Sequence, residues 1–201
     1  MIYLDNSATT KVDEQIVKTM IPYLYEQYGN TTSKHYTLAS NAEKAVENSR
    51  EQLSSLLNCK TKELIFTSGA TESNNFIIKG IANYYKETGN HIITSSIEHK
   101  SILETCKFLE NKGFEVTYIN PDKNGSINPD KIRSKITDDT ILISIMWGNN
   151  ELGTLNPVNK IAEIAQKNDV LFHTDATQVL GKVEVNAQKV NFDFLSCSAH
   201  K

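Results

Sequence analysis

Short apolar runs rich in β-branched residues alternate with amphipathic segments from residue 63 onward. Six runs predict strands, at residues 64–67, 92–95, 115–119, 141–146, 170–174 and 192–197. Helical spacing of apolar positions predicts helices between them, over residues 70–87, 99–112, 128–136 and 157–168. Successive strands are separated by the length of a crossover helix. The pattern therefore predicts an α/β fold in which a mostly parallel sheet is covered by helices on both faces.

The first third of the chain has a helical pattern instead. Residues 12–28 carry apolar side chains at helical spacing behind Asp13, a residue type that caps helix N-termini. Pro22 lies inside this segment and predicts an interruption or bend, because proline lacks a backbone N–H and clashes with the preceding turn. A second amphipathic helix is predicted over residues 37–58.

Composition and charge exclude several classes of protein. Hydrophobic residues make up 39% and charged residues 22% of the chain, the balance of a globular protein. The formal net charge of -3 offers no basic surplus for nucleic acid or an anionic membrane. The longest apolar runs, such as residues 141–146, are far shorter than the roughly 20 residues that cross a bilayer. Because residues 1–10 do not resemble a secretory signal, a cytoplasmic protein with three reduced cysteines is predicted.

Polar and small residues collect directly after the predicted strands. These clusters lie at residues 68–73, 98–99, 149–151, 175–178 and 198–201. The carboxyl ends of the strands in an open α/β sheet form its ligand crevice. Five clusters in equivalent places therefore predict one site.

The first cluster follows a predicted strand and opens a helix. The unpaired amides of such a helix start, here those of Ala70 and Thr71, bind phosphate together with the positive end of the helix dipole. Capping of the helix by Thr67 or Ser68 is the ordinary alternative. The segment matches neither a Rossmann nor a Walker phosphate loop, which disfavours a dinucleotide or nucleoside triphosphate site.

Three further residues have both an ordinary and a chemical interpretation. Asp175 ends a very apolar strand, where it either caps the following turn or pairs with a cationic ligand atom. His99 is a helix cap, a surface imidazole or part of the site, whereas His91 and His173 lie in strands and are predicted to be structural. Lys201 either lies at the surface or emerges into the crevice. A lysine, a buried acid and a phosphate-binding helix start are together the parts that hold pyridoxal phosphate.

These residues lie within six motifs that resemble one known family. The motifs occupy residues 3–10, 68–75, 97–99, 149–153, 173–178 and 196–201, in the family's order. The sequence is similar to the N-terminal half of a pyridoxal-phosphate-dependent cysteine desulfurase of the class V aminotransferase family, in the subgroup that supplies iron–sulfur cluster assembly and tRNA thiolation. The resemblance implies an aminotransferase-like large domain of fold type I, truncated, at residues 16–201. An N-terminal arm belonging to the small domain, residues 1–15, would precede it.

The resemblance also implies a role for each site residue. Lys201 would form the Schiff base with the cofactor, Asp175 would keep the pyridinium nitrogen protonated, and His99 would stack over the ring and move protons. The residues implied near the ring hydroxyl and the substrate are Asn150 and Gln178. The residues implied at the phosphate are Ala70, Thr71, Ser198 and His200. No metal site is predicted.

The implied reaction converts L-cysteine to L-alanine and leaves the sulfur as a persulfide on an enzyme cysteine, for an iron–sulfur scaffold or another acceptor protein. The family is homodimeric, and the loop with its nucleophilic cysteine would follow residue 201. Cys59, Cys106 and Cys197 are predicted to be buried, so the chain as given is expected to be inactive. Two alternatives stay open: another class V aminotransferase or lyase, and a non-catalytic fragment that serves as a binding or dimerisation module.

Overall fold

The computed structural model describes residues 2–201, and a parallel sheet of five strands lies at its centre. The strands are β1 (His91–Ser95), β2 (Glu115–Ile119), β3 (Thr140–Ser144), β4 (Leu171–Asp175) and β5 (Phe194–Ser196). Their spatial order is β2-β1-β3-β4-β5, and every neighbouring pair is parallel. The helices are α1 (Glu14–Met20), α2 (Pro22–Tyr25), α3 (Thr37–Leu57), α4 (Ala70–Tyr85), α5 (Lys100–Glu110), α6 (Pro129–Arg133) and α7 (Val158–Lys167). The predicted α/β fold with a mostly parallel sheet is confirmed.

Both faces of the central strands are covered, which explains why these strands lack polar alternation. On one face, Ile92 of β1 and Leu142 of β3 pack with Ile78 of α4. The next residues along the strands, Ile93 and Ile143, point to the opposite face and are equally inaccessible to solvent. Each fully buried side chain of this kind contributes about 1.5–3 kcal/mol. Strands buried on both faces have continuous apolar sequences, as β1 and β3 do.

Residues 64–67 form no strand, so the prediction of a sixth strand is wrong. Ile65 is 70% exposed, and the Leu64 carbonyl accepts a hydrogen bond from Arg50 Nη1. The Arg50 guanidinium also lies 4.8 Å from the ring centroid of Phe66. The β propensity of a run cannot supply the neighbouring strand that its backbone needs. The other five predicted strands and all predicted helices are confirmed, with no end shifted by more than three residues.

The residues up to Phe66, together with His200, form one compact unit. Asp13 caps α1 as predicted, since its carboxylate accepts a hydrogen bond from the backbone N–H of Gln15 at 2.7 Å. The predicted interruption also lies where expected, because α2 begins at Pro22 directly after α1. Neither α1 nor α2 buries a residue in this structure.

Residues 67–199 and residue 201 form the second unit, which contains the sheet and α4 to α7. Within residues 2–201, no helix is both long enough and apolar enough to cross a membrane. This grouping does not test the division into a small-domain arm, residues 1–15, and a cofactor-binding domain, residues 16–201. That division stays a prediction.

Candidate active site

Four of the five predicted polar clusters follow strands that end at one edge of the sheet, whereas the cluster at residues 68–73 does not follow a strand. Asp175 ends β4 and pairs with Ser196, the last residue of β5. Beyond β3, the backbone N–H of Trp147 donates to the Asp175 carbonyl at 2.9 Å, so this segment runs along the same edge. Because all five strands are parallel, the segments that follow β1, β3 and β4 start from this edge together.

Asp175 is a buried carboxylate that accepts hydrogen bonds on both oxygens. It is 5% exposed. Its Oδ1 accepts from the backbone N–H of Thr177 at 2.9 Å, and its Oδ2 accepts from Asn74 Nδ2 at 2.9 Å. The turn-capping contact foreseen for Asp175 is therefore present. It leaves further lone pairs on both oxygens, which suit a cationic N–H of a ligand.

A chain of hydrogen bonds continues from Asp175 to His99. Asn74 is fully buried in α4, and its Nδ2 also donates to Ser101 Oγ at 2.9 Å. Ser101 Oγ lies 2.8 Å from His99 Nδ1, which accepts a further hydrogen bond from the backbone N–H of Ser101 at 3.1 Å. His99 is thus the N-cap of α5, and it is also exposed, so two of its predicted alternatives, helix cap and surface imidazole, are confirmed. Sequence reasoning assigned no role to Asn74 or Ser101, although a buried asparagine inside a helix is unusual enough to mark such a position.

Glu98 is a second buried acid that sequence reasoning missed. It is 5% exposed, and its Oε1 accepts hydrogen bonds from Ser95 Oγ at 2.6 Å and from the backbone N–H of Met146 at 2.9 Å. Its Oε2 is buried without a hydrogen-bond partner among the described residues. Burial raises the pKa of this carboxyl from its ordinary 4.5 to about 8, and the nearby charge of Asp175 acts in the same direction.

The start of α4 is not capped by a side chain, in contrast to the predicted alternative. Its N-cap is Gly69, at φ +156°, a conformation that side chains rarely adopt, and no side chain caps the helix. Thr67 Oγ1 instead lies 2.8 Å from Ser73 Oγ, and the Ser68 N–H donates to Glu72 at 2.5 Å. Capping by Thr67 or Ser68 is therefore wrong. The first amides of α4 have no partner within the helix, as in any helix start.

The other predicted site residues differ in their surroundings. The half-buried ones among the described residues are Ala70, Asn150, Gln178, Ser198 and Lys201. Thr71 is exposed and lines a groove of about 400 Å³ between α4 and α5, to which His99 also contributes. His200 is exposed, and its Nδ1 lies 3.2 Å from Thr9 Oγ1 in the N-terminal unit. The structure thus links His99 with Asp175 by hydrogen bonds and with Thr71 by a shared groove.

Two strand histidines have the structural roles predicted for them. His173 is fully buried between Ser144 Oγ, at 2.8 Å, and Ser196 Oγ, at 3.0 Å. Burial lowers its pKa from 6.5 to about 4, so the ring is a neutral bridge between β3 and β5. His91 bridges Thr140 and Thr117 in the same way at the other end of the sheet.

The three cysteines are not arranged as reactive thiols. Cys106 is fully buried in α5, and burial raises the pKa of its thiol to about 12. Cys59 and Cys197 are only half-buried, so the prediction that they are buried is wrong, although burial is still the main cause that raises their pKa values. The thiolate is the nucleophilic form, so each of these environments suppresses reactivity.

The residues present fit pyridoxal phosphate. Asp175 offers a buried carboxylate with open lone pairs, which matches the protonated ring nitrogen of that cofactor. Two polar atoms beside it, Asn74 Oδ1 and Thr177 Oγ1, are buried without a partner among the described residues. Buried polar groups normally have partners, so these two atoms are available to a polar ligand at this edge.

Comparison with known proteins gives one family over the whole chain. The model of the aminotransferase class-V family matches residues 2–201. The chain is 50% identical over 202 residues to the cysteine desulfurase IscS of Buchnera aphidicola, and 48% identical over 200 residues to that of Ehrlichia chaffeensis. These alignments cover 100% of this chain and 50% and 48% of the two relatives.

A solved structure agrees with the sequence relatives. The structure described as SspA in complex with cysteine superposes with a TM-score of 0.95 at 40% identity, over 98% of this chain and 57% of that chain. The chain thus spans about half the length of the curated relatives it matches. Since the family model extends over residues 2–201, the chain belongs to the aminotransferase class-V family.

Proposed function

We propose that the chain is the cofactor-binding half of a cysteine desulfurase that takes L-cysteine as substrate and pyridoxal phosphate as cofactor. The observation that carries the proposal is the buried Asp175 carboxylate, open to a cationic partner, in a chain 48–50% identical to cysteine desulfurases along its whole length. The relative solved with cysteine supports the same substrate. The product amino acid would be L-alanine.

Each site residue has a specific task in this proposal. Pyridoxal phosphate, when bound, withdraws electrons from the reacting carbon of an amino acid. Asp175 would hold a proton on the ring nitrogen, Lys201 would attach the cofactor covalently, and His99 would lie over the ring. The proposed phosphate ligands are Ala70, Thr71, Ser198 and His200. The proposed neighbours of the ring hydroxyl and substrate are Asn150 and Gln178.

Burial makes the charge of Asp175 effective. A charge pair is much stronger in a low-dielectric interior than in water, and Asp175 is 5% exposed. Its two existing hydrogen bonds, from Asn74 and Thr177, fix the plane of the carboxylate before a ligand binds. The site is therefore preorganised for a cationic N–H.

The thiol that accepts the sulfur is proposed to be a different cysteine from the three in this sequence. The burial and raised pKa values of Cys59, Cys106 and Cys197 support this. These residues are therefore not expected to complete sulfur transfer. We further propose that the intact protein is a cytoplasmic homodimer that passes persulfide sulfur to an iron–sulfur scaffold or a tRNA-thiolation acceptor. In it, residues 1–15 would belong to the small domain and residues 16–201 to the large domain.

The attachment of the cofactor tests the proposal directly. The chain is incubated with pyridoxal phosphate, its visible absorbance is recorded, and borohydride reduction then fixes the cofactor on its lysine for peptide mapping. We expect visible absorbance and a label on Lys201. Lys201→Ala should lose the label, whereas Lys167→Ala, an exposed residue at the end of α7, should keep it. A label spread over surface lysines would overturn the proposal.

The role of Asp175 has its own measurement. Asp175→Asn keeps the side-chain volume but removes the charge, and a hydrogen bond to a charged group contributes about 1.5–3 kcal/mol. The variant should bind pyridoxal phosphate about tenfold or more weakly. Asp138→Asn, at an exposed position, is the matched control. Equal affinities of the two variants would contradict the assignment of Asp175.

A further inference from the structure

The hydrogen bonds around Asn74 have only one consistent direction. Asp175 Oδ2 is an acceptor, so Asn74 must turn its Nδ2 toward it, at 2.9 Å. The second hydrogen of Nδ2 then points to Ser101 Oγ, also at 2.9 Å. Asn74 Oδ1 is left buried without a partner among the described residues. The amide orientation therefore follows from the neighbours of Asn74.

The hydrogen bonds of Ser101 also fix the tautomer of the His99 ring. The backbone N–H of Ser101 can only donate, so the nitrogen that accepts from it at 3.1 Å, His99 Nδ1, carries a lone pair. Ser101 Oγ already accepts from Asn74, so its own hydrogen is free to point to the same Nδ1, at 2.8 Å. A neutral imidazole with a lone pair on Nδ1 carries its proton on Nε2.

We propose that Asn74 and Ser101 are positioning residues that hold His99 in its Nε2-protonated form and couple the ring to Asp175. The assignment deepens the proposed function, because it concerns the same site. A carboxylate at the end of β4 orients an amide in α4, which orients a hydroxyl in α5, which orients the imidazole. Three separate elements are thereby tied together at the edge of the sheet.

The consequence concerns what His99 can do. Its Nδ1 faces two donors, the hydroxyl and the backbone N–H of Ser101, so its lone pair is already engaged. Its Nε2 already carries a hydrogen. In this arrangement His99 offers a bound ring a hydrogen-bond donor at Nε2 and a flat surface.

Stability alone does not explain an asparagine at position 74. Asparagine has a low helix propensity, and α4 continues for eleven residues beyond it. The side chain is completely buried, and one of its polar atoms has no partner among the described residues. A buried unpaired polar atom is destabilising. The residue is therefore better explained by the two hydrogen bonds that it donates than by packing.

The tautomer of His99 tests the proposal without cofactor or activity. In ¹⁵N NMR of the histidine rings of the cofactor-free chain, protonated and unprotonated ring nitrogens have well-separated shifts. We expect a protonated Nε2 and an unprotonated Nδ1 for His99. Asn74→Ala and Ser101→Ala each remove one link, and each should raise the share of the Nδ1-protonated form about fivefold, the equivalent of one hydrogen bond of about 1 kcal/mol.

Asn75→Ala is the matched control. Asn75 is the next residue of α4 and also bonds to α5, since its Oδ1 accepts from Thr105 Oγ1 at 2.9 Å, but it lies outside the chain from Asp175 to His99. The control should leave the His99 signals unchanged. The proposal is overturned if wild-type His99 is protonated on Nδ1. It is also overturned if both link variants, folded by circular dichroism, keep the wild-type signals, because the backbone cap alone would then fix the ring.

The result of the NMR test does not depend on the result of the test of the proposed function. The NMR measurement can succeed in a chain that never binds pyridoxal phosphate. Conversely, a label on Lys201 with a wild-type His99 tautomer in every variant would support the proposed function and reject the role of Asn74 and Ser101.

Discussion

Replacing Glu98 by glutamine should remove most of the pH dependence of stability between pH 6.5 and 8. Glutamine has nearly the same shape and can keep the hydrogen bonds that Oε1 accepts from Ser95 and from the Met146 backbone. It cannot ionise, however. The native carboxyl can, and its burial raises its pKa to about 8. The two proteins should therefore respond differently to alkaline conditions.

The sign follows from the proton count. Between the ordinary pKa of 4.5 and the native value of about 8, the folded protein keeps a proton on Glu98 that the unfolded chain releases. The free energy of unfolding therefore falls as the pH rises through this range, by about 1.4 kcal/mol per pH unit, and levels off above it. The full stability contribution is present only below pH 4.5.

The pKa values of the other buried groups determine the pH range in which the effect of Glu98 is best measured. The pKa of His173 is lowered from 6.5 to about 4 by burial, so its effect is opposite in sign and ends at pH 6.5. His91, whose pKa burial also lowers, acts in the same direction as His173. The cysteine pKa values are raised above 9.0, beyond the window. Among these groups, only Glu98 should change the free energy of unfolding between pH 6.5 and 8. It should lower that free energy by about 2 kcal/mol.

Urea unfolding at pH 6.5 and at pH 8 measures this difference. The native protein should lose about 2 kcal/mol between the two pH values, and Glu98→Gln should lose less than half of that. Glu163→Gln, at an exposed position of α7, should behave like the native protein. The reasoning is refuted if Glu98→Gln and the native protein lose the same amount of stability.

Three further changes have defined outcomes. His173→Ala should lower the free energy of unfolding in urea by about 3 kcal/mol, because it leaves a cavity and two serine hydroxyls without their shared partner; a loss below about 1 kcal/mol would contradict the buried bridge. Iodoacetamide at pH 8 should alkylate Cys59 well before the fully buried Cys106, as followed by peptide mass spectrometry, and equal rates would refute the burial of Cys106. With pyridoxal phosphate, L-cysteine and reductant, alanine release should stay at background, whereas turnover that is lost in Cys106→Ser or Cys197→Ser would show that one of these thiols reacts.

The sequence by itself determined the type of fold and the edge at which the site lies. Runs such as residues 141–146 are continuously apolar because their strands are buried on both faces, and the residues alone show this pattern. Local chemistry also gave the cap at Asp13 and the break at Pro22, because both depend on a few neighbouring residues. The error at residues 64–67 has the complementary cause, since a strand also needs a neighbour that propensity does not encode.

Only the tertiary structure decided which side chains meet at that edge. Asn74 and Asp175 are 101 residues apart in sequence and form a hydrogen bond of 2.9 Å because α4 crosses the end of β4. The lack of a partner for Glu98 Oε2 among the described residues likewise depends on how the end of β1 and the segment after β3 contact one carboxyl group. Such contacts depend on how separate elements are placed relative to one another, and no local sequence pattern contains that information. The sequence thus predicted a site with an acid and an imidazole, and the packing of α4 and α5 joined the two through Asn74 and Ser101.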